Sequence, residues 1–269
     1  MIFVNGTEIS FTSFPDGTTS FRFALGAEPV YNIKWLYDGD HECMLVWYLT
    51  NHIRSNVNRD ARIKLVMPYI PNARMDRVKE RDEVFTLKWF ADFINSLNFD
   101  SVVTHDPHSC VSEALINRLF SVGVSGVVNR RVMETIHEKF GEDDILLCYP
   151  DEGASKRYAS QIRGDYVFGI KHRDWRTGEI QGLELVGSEK VNGRTVLIVD
   201  DICSRGGTFT HTAKALKDAG ADKVFLYVTH CENTIRDGSV LTDGLISHVF
   251  TTNSIFRGEH EKVTVFEEV

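Results

Sequence analysis

Thr195-Val196-Leu197-Ile198-Val199 is an apolar run that leads into two acids, Asp200-Asp201, and then into Ile202-Cys203-Ser204-Arg205-Gly206-Gly207-Thr208 before a helical pattern begins near Phe209. A loop of small residues between a strand and a helix offers backbone N–H groups and a helix N-terminus, which together favour a phosphate. Gly206 and Gly207 let the backbone approach the anion closely. Thr208 supplies a hydroxyl and Arg205 a positive charge. Asp200 and Asp201, at the end of the strand, suit sugar hydroxyls, because open α/β sheets take their ligands at the carboxyl ends of strands. The same stretch also fits an ordinary strand-to-helix turn in which an Asp caps the helix. A Gly-Gly-Thr turn alone does not decide between the two.

Such a loop needs a scaffold. The first 25 residues alternate (Ile2 and Val4, Ile9 and Phe11, Phe21 and Phe23) and are broken by Asn5-Gly6 and Pro15-Asp16-Gly17, a period-two pattern that predicts a hairpin or meander. From about Asp40 the spacing turns helical through Met44, Trp47, Tyr48 and Ile53. A buried strand is predicted at 63–69, a helix near 86–97 and a strand at 101–104. Strands at 145–148, 166–170, 195–199 and 224–228 then alternate with helices from Ala154 and near Phe209. Continuous Val/Ile/Leu strands separated by helices predict an α/β protein with mostly parallel sheets. The segment Val124–Gly126 is the best place for a boundary, giving domains over 1–124 and 125–269.

Composition narrows the function classes. With 30 Lys and Arg against 38 Asp and Glu the net charge is −8, which argues against a nucleic-acid binder and makes any basic site a local one. Five scattered cysteines (Cys43, Cys110, Cys148, Cys203, Cys231) without a Cys-x-x-Cys pair predict neither a disulfide framework nor a structural zinc site. No apolar run approaches the ~18 residues of a membrane span. Met1–Gly6 has no charged n-region or long apolar h-region, so no signal peptide is expected and the cytoplasm is the expected location.

The strand, the two acids and the Gly-Gly-Thr turn resemble the phosphoribosyl-diphosphate loop of the phosphoribosyltransferase fold group. Over most of its length the chain is similar to the ribose-phosphate pyrophosphokinase (phosphoribosyl-diphosphate synthetase) family, in a short, phage-like form. Phe14-Pro15-Asp16-Gly17 resembles the family's Phe-Ser-Asp-Gly or Phe-Ser-Asn turn, implied to sit on adenine across a subunit interface. Pro68-Tyr69 through Ala73-Arg74-Met75-Asp76-Arg77 resembles the Pro-Tyr-Phe…Ala-Arg-Gln-Asp-Arg segment that holds ATP. Thr104-His105-Asp106-Pro107-His108 resembles the Val-Asp-Leu-His segment, whose His contacts the metal–ATP complex. Pro150-Asp151-Glu152-Gly153-Ala154-Ser155-Lys156-Arg157 is similar to the Pro-Asp-x-Gly-Gly segment, whose Asp is implied near magnesium. Lys171-His172-Arg173 stands where the family's Lys-Arg-Arg opens a mobile catalytic loop. Five segments in family order, with the phosphate loop, favour a ribose-phosphate site over a simple cap.

Each residue also has a plainer role open to it. Phe14 could be core, Arg74 and Arg77 a solvated pair, His108 structural, Asp151 a helix cap, and Lys171 with Arg173 a surface charge run. The resemblance tips each toward function. It implies two tandem phosphoribosyltransferase-like domains, the first on the ATP side and the second on the ribose-phosphate side, with the active site between them completed by a neighbouring copy in a homo-oligomer. The implied reaction moves a diphosphoryl group from ATP to the anomeric hydroxyl of ribose 5-phosphate. Lys171, Arg173 and His108 would be catalytic. Phe14, Asp16, Arg74, Met75, Asp76, Arg77 and His108 would hold ATP, and His108 and Asp151 would hold magnesium. Asp200, Asp201, Ser204, Arg205, Gly206, Gly207 and Thr208 would hold the acceptor. Cys203 is assigned to packing.

Three departures from the family stand out. Its phosphate loop reads Asp-Thr-Gly-Gly-Thr, whereas Ser204-Arg205 here removes an acid and adds a cation. That suits either a tighter monophosphate or an acceptor with a diphosphate at that position, such as ADP-ribose in NAD salvage. Met75 and Thr18 replace a Gln and usually a Glu near adenine, which leaves nucleotide selectivity open. The chain closes at Val265-Phe266-Glu267-Glu268-Val269 without the family's usual C-terminal helical segment, so oligomer size and control by phosphate or ADP are not carried over. A plain phosphoribosyltransferase is disfavoured by the ATP segments. A non-catalytic regulatory homologue is disfavoured by the presence of Lys171, Arg173, His108 and Asp151 together.

Overall fold

The computed structural model describes residues 1–57, 60–173 and 180–267, with the backbone alone at 171–173 and 180–181. The chain divides into two compact units, Met1–Val122 and Gly123–Val269.

The first unit starts with the alternation seen in the sequence. β1 (Ile2–Val4) and β2 (Thr7–Glu8) form a hairpin about Asn5-Gly6, and β3 (Phe11–Ser13) and β4 (Thr19–Phe21) form a second, separate two-stranded ribbon. There follow β5 (Val30–Trp35), α1 (Glu42–Asn56), β6 (Arg62–Val66), α2 (Thr86–Ser96), β7 (Ser101–His105), α3 (Cys110–Leu115) and β8 (Leu119–Val122). Among the described residues the strands order as β2-β1-β5-β6-β7-β8, antiparallel at β1 and parallel from β5 onward. β5 was not predicted, although its buried Tyr31, Ile33 and Trp35 carry a period-two signal. In α2, Leu87, Phe90, Ala91 and Ile94 recur at helical spacing and pack into the core with Leu45, Leu49 and Ile53 of α1.

The second unit opens with a π-helical turn (Val127–Val132) that runs into α4 (Met133–Phe140). Then come β9 (Ile145–Tyr149), α5 (Glu152–Tyr158), β10 (Tyr166–Arg173), β11 (Ile180–Val186), β12 (Thr195–Cys203), α6 (Gly207–Asp218), β13 (Val224–Cys231), β14 (His248–Thr252) and β15 (Val263–Phe266). Their order among the described residues is β11-β10-β9-β12-β13-β14-β15, parallel except for β11. The expected α/β architecture with mostly parallel sheets is therefore present in both units. Along β9, β12 and β13 successive residues enter different cores. Leu146, Cys148, Val196 and Ile198 pack on one face, and Leu147, Tyr149, Leu197 and Val199 on the other. A sheet covered on both faces requires this near-continuous apolar run.

Candidate functional site in the second unit

β9 and β12 are hydrogen-bonded neighbours, yet the chain leaves them on opposite faces. α5 places Ala154 and Tyr158 in one core, and α6 places Phe209, Ala213 and Leu216 in the other. Where adjacent parallel strands feed helices on opposite sides, a crevice opens beyond their carboxyl ends. The register of β12 with β9 ends at Ile198↔Cys148, and with β13 it continues to Cys203↔Cys231. Asp200 and Asp201 therefore lie inside β12 but past the end of its pairing with β9, whereas the sequence pattern ended the strand at Val199. Hydrogen bonding to β13 overrides the polar residues that looked like a strand end.

The acids are placed asymmetrically. The Asp201 amide donates to Asp200 Oδ1 (3.0 Å), and Asp201 Oδ2 lies 3.2 Å from Arg157 Nη1 of α5. Asp200 keeps some accessible surface but is densely surrounded by protein. Removal from water, then the charges of Asp201 and Asp151, hold its carboxyl well above the usual carboxylate range. Asp151 is the N-cap of α5, its Oδ1 accepting from the Ala154 amide at 2.9 Å. The capping role open to it in the sequence is thus real, and it is also electrostatically coupled to Asp200.

The phosphate loop is braced from behind. Gly206 adopts φ +80° as the N-cap of α6, and its carbonyl accepts from Phe209 and Thr210. A Cβ there would meet Val240 Cγ2 at 2.1 Å. The Arg205 carbonyl oxygen lies where a Cβ on Gly238 would be, 1.9 Å away. Ser204 Oγ pairs with Thr234 Oγ1 (3.2 Å), which donates to Glu232 Oε2 (3.1 Å), and Thr210 Oγ1 is 2.9 Å from Ser239 Oγ. Arg205 and Gly207 are exposed and Thr208 half-buried. The first amides of α6 have no carbonyl acceptor within the helix, so they suit an anion.

In the first unit, Phe14 stands 56% exposed at the tip of the β3–β4 hairpin, so it is not core. Asp16 Oδ1 accepts from the Thr18 amide (2.9 Å) and hydroxyl (2.7 Å), bonds that hold its carboxyl below the usual range. Arg74 and Arg77 are exposed and Met75 and Asp76 half-buried. Arg77 Nε is 3.9 Å from Asp76 Oδ1. His108 is half-buried between β7 and α3. The Pro68 carbonyl accepts from the His105 amide and the Thr104 hydroxyl, both at 3.0 Å, which pins the root of the Arg74–Arg77 loop to the strand that leads to His108.

Lys171 and Arg173 lie within β10, opposite Leu183 and Ile180 of β11, rather than just beyond the strand as the sequence suggested. Their side chains lie outside the described residues. Arg157, Thr234, Gly238 and Val240 carry no sign of a role in the sequence alone. Their partners are distant in the chain, and only the Pro150–Arg157 motif itself hinted at Arg157. Asp151, Asp200 and Asp201 offer the hard oxygen donors that magnesium prefers. Among the described residues no three acids, histidines or cysteines converge as a self-sufficient metal site. Magnesium usually keeps waters and shares one or two carboxylates with substrate phosphates, so this donor set fits it.

The "Phosphoribosyl transferase domain" family matches residues 125–260. The chain is 32% identical over 196 residues to the "Ribose-phosphate pyrophosphokinase" of Marinomonas sp. (strain MWYL1), a match that takes in 68% of this chain and 60% of that protein. It is 33% identical over 199 residues to the protein of the same name from Vibrio vulnificus (strain YJ016), covering 72% of this chain and 61% of the relative. The chain thus spans about three fifths of the length of the curated relatives it matches. In structure it resembles a phosphoribosylpyrophosphate synthetase from Mycobacterium smegmatis, with a TM-score of 0.76 at 19% identity, covering 97% of this chain and 86% of that one. That likeness supports the fold of both units. The family match spans half the chain and contains the crevice, the acid pair and the braced loop, so this chain belongs to the phosphoribosyl transferase domain family.

Proposed function

We propose that this protein transfers a diphosphoryl group from ATP to the anomeric hydroxyl of ribose 5-phosphate, giving phosphoribosyl diphosphate and AMP. The observation that carries the reading is the acid pair and braced phosphate loop at the β9–β12 crevice, in a chain whose curated relatives bear the name ribose-phosphate pyrophosphokinase. Asp200 and Asp201 bind the sugar hydroxyls. Ser204 to Thr208 and the N-terminus of α6 bind the 5-phosphate, aligning the C1 oxygen for in-line attack on the β-phosphorus. Phe14, Asp16 and the Arg74–Arg77 segment hold ATP, with His108 beside its phosphates. Lys171 and Arg173 neutralise charge on the group in transfer, and closure around them excludes water that would hydrolyse ATP. Asp151 and His108 would hold magnesium, which would supply neutralisation of phosphate charge. The Phe14 hairpin acts on a neighbouring copy in a homo-oligomer. Among the described residues no helix is long and apolar enough to cross a membrane, in keeping with an enzyme of the cytoplasm.

A second acceptor is favoured by one observation. Arg205 is exposed beside the loop where the family has a small hydroxyl, and a cation there accommodates a second phosphate, as in ADP-ribose. Incubation with magnesium-ATP and either acceptor, with nucleotides resolved by chromatography and phosphorus by NMR, tests both. AMP with a new anomeric diphosphate from ribose 5-phosphate supports the first reading, and the same products from ADP-ribose alone support the second. No AMP from either refutes catalysis and leaves a regulatory, nucleotide-binding homologue.

A further inference from the structure

We propose that Arg157 is a positioning residue for the acceptor, acting through Asp201 to fix how the acid pair presents its oxygens to the sugar. The inference rests on the reading of the crevice as a ribose-phosphate site, and deepens it.

Asp201 follows Leu197 and Val199 on the α5 side of β12. Asp201 meets a cation there: Arg157 Nη1 sits 3.2 Å from its Oδ2. Arg157 is itself held. Its guanidinium lies over the Tyr158 ring at 5.5 Å, with Nη1 3.4 Å from the Tyr158 hydroxyl, and its carbonyl accepts from Gln161 Nε2 at 2.8 Å. The restraint passes along the backbone, because the Asp201 amide donates to Asp200 Oδ1 at 3.0 Å. Arg157 thus anchors one carboxylate directly, and that residue's amide anchors the other.

The pairing also balances charge. Asp201 is sequence-adjacent to Asp200, which also feels the charge of Asp151, and an anionic sugar phosphate must enter beside them. Without Arg157, Asp201 loses a partner that fixes its side-chain orientation before the acceptor arrives. The Arg157 and Asp201 side chains are 27% and 6% exposed, so removing the arginine leaves a buried carboxylate less compensated and costs stability too. Holding a buried carboxylate in one rotamer for a ligand is a different task, since preorganised groups bind without first being ordered.

Ribose 5-phosphate with magnesium is titrated calorimetrically into the wild type, Arg157→Gln, Arg157→Lys, Asp201→Asn and the Arg157→Gln/Asp201→Asn double variant, with thermal unfolding followed in parallel. The expected result for Arg157→Gln is a loss of about tenfold in affinity, equal to ~1.4 kcal/mol. Arg157→Lys restores affinity to within about threefold, because charge is kept and only the planar fork is lost. The double variant binds no more weakly than Asp201→Asn, since Arg157 acts through that residue. Arg157→Gln binding like wild type overturns the inference while leaving the site reading intact, as does a double variant that is weaker by both single losses. A lower unfolding midpoint with unchanged affinity also overturns it. Absence of binding by the wild type overturns the ribose-phosphate reading itself, and this inference with it. If Arg157→Gln fails to fold, Arg157→Lys against Asp201→Asn decides, because a loss in the first that disappears in the second background carries the same meaning.

Discussion

Gly207 tests the phosphate seat most directly, because nothing in the fold requires a glycine there. It is the first residue of α6, its φ is not in the left-handed region, and a Cβ built on it meets nothing within 4 Å. Packing and backbone conformation both tolerate alanine. In a helix that exchange contributes up to about 1 kcal/mol of stability, or about 2–4 °C in unfolding midpoint for a protein of this size. Under the proposed function, the open space at Gly207 is also where an anion would reach the first amides of α6. A methyl group there displaces the anion from at least one charge-assisted hydrogen bond, worth about 1.5–3 kcal/mol, or about 10- to 150-fold in Kd. Gly207→Ala is therefore expected to raise the midpoint in scanning calorimetry while weakening ribose 5-phosphate in a titration. Gly206→Ala is the contrast. Its φ of +80° and the 2.1 Å approach to Val240 Cγ2 mean that the fold suffers first, by about 1–2 kcal/mol from the left-handed backbone alone. A Gly207→Ala protein that is more stable and binds the sugar phosphate as tightly as wild type refutes the reasoning, because the open space would then serve no ligand.

Three further outcomes follow from the same geometry. Gly238 has an extended backbone (φ −103°, ψ −177°) that alanine adopts freely, so the 1.9 Å clash of a Cβ with the Arg205 carbonyl is the whole perturbation. Loop displacement of that size costs on the order of 100-fold in kcat/KM for the acceptor, and unchanged steady-state kinetics would remove the brace from the account. His248 is pushed down to about 4 by burial, then by Lys139 and His260; its imidazole is neutral in the fold at neutral pH, and between pH 6.5 and 4 the unfolded chain binds a proton that the native state refuses. Stability is thus complete above pH 6.5 and falls through that window by on the order of 2 kcal/mol; His248→Gln should flatten this part of a midpoint-versus-pH curve, and an unaltered slope would exclude His248 as its source. Glu142 is held below its usual range first by Lys223, and Lys223 above its own by Glu142; Glu142→Gln should cost stability near neutral pH and converge with wild type in acid, where the native carboxylate is protonated, a pattern that chemical denaturation at two pH values detects.

Much of this fold was legible because the deciding interactions are local. The alternation around Asn5-Gly6 and Pro15-Asp16-Gly17, the helical spacing of α2 and the strand–acids–glycine–helix order at Thr195–Thr208 depend on neighbours a few residues away. The strand ends were less legible. β12 continues through Asp200 to Cys203 because β13 remains alongside it, and β10 continues to Arg173 because β11 returns antiparallel to it. Neither partner can be read from the segment itself. β5 was within reach, since Tyr31, Ile33 and Trp35 alternate with Asn32 and Lys34.

The candidate site divides in the same way. Asp200, Asp201 and the glycines announce a ligand by type and order, but the crevice that receives it comes from α5 and α6 leaving adjacent strands on opposite faces. Arg157 and Gly238 have ordinary sequence surroundings, and each gains its meaning from one partner across the fold, Asp201 for the first and the Arg205 carbonyl for the second. The three glycines show why residue type alone is not enough. Gly206 is required by its backbone angle and by Val240, Gly238 by the approach of another segment, and Gly207 by neither. In sequence, Gly206 and Gly207 are an identical pair. In the structure, one belongs to the architecture, and the other leaves open a space that the proposed function fills with a phosphate.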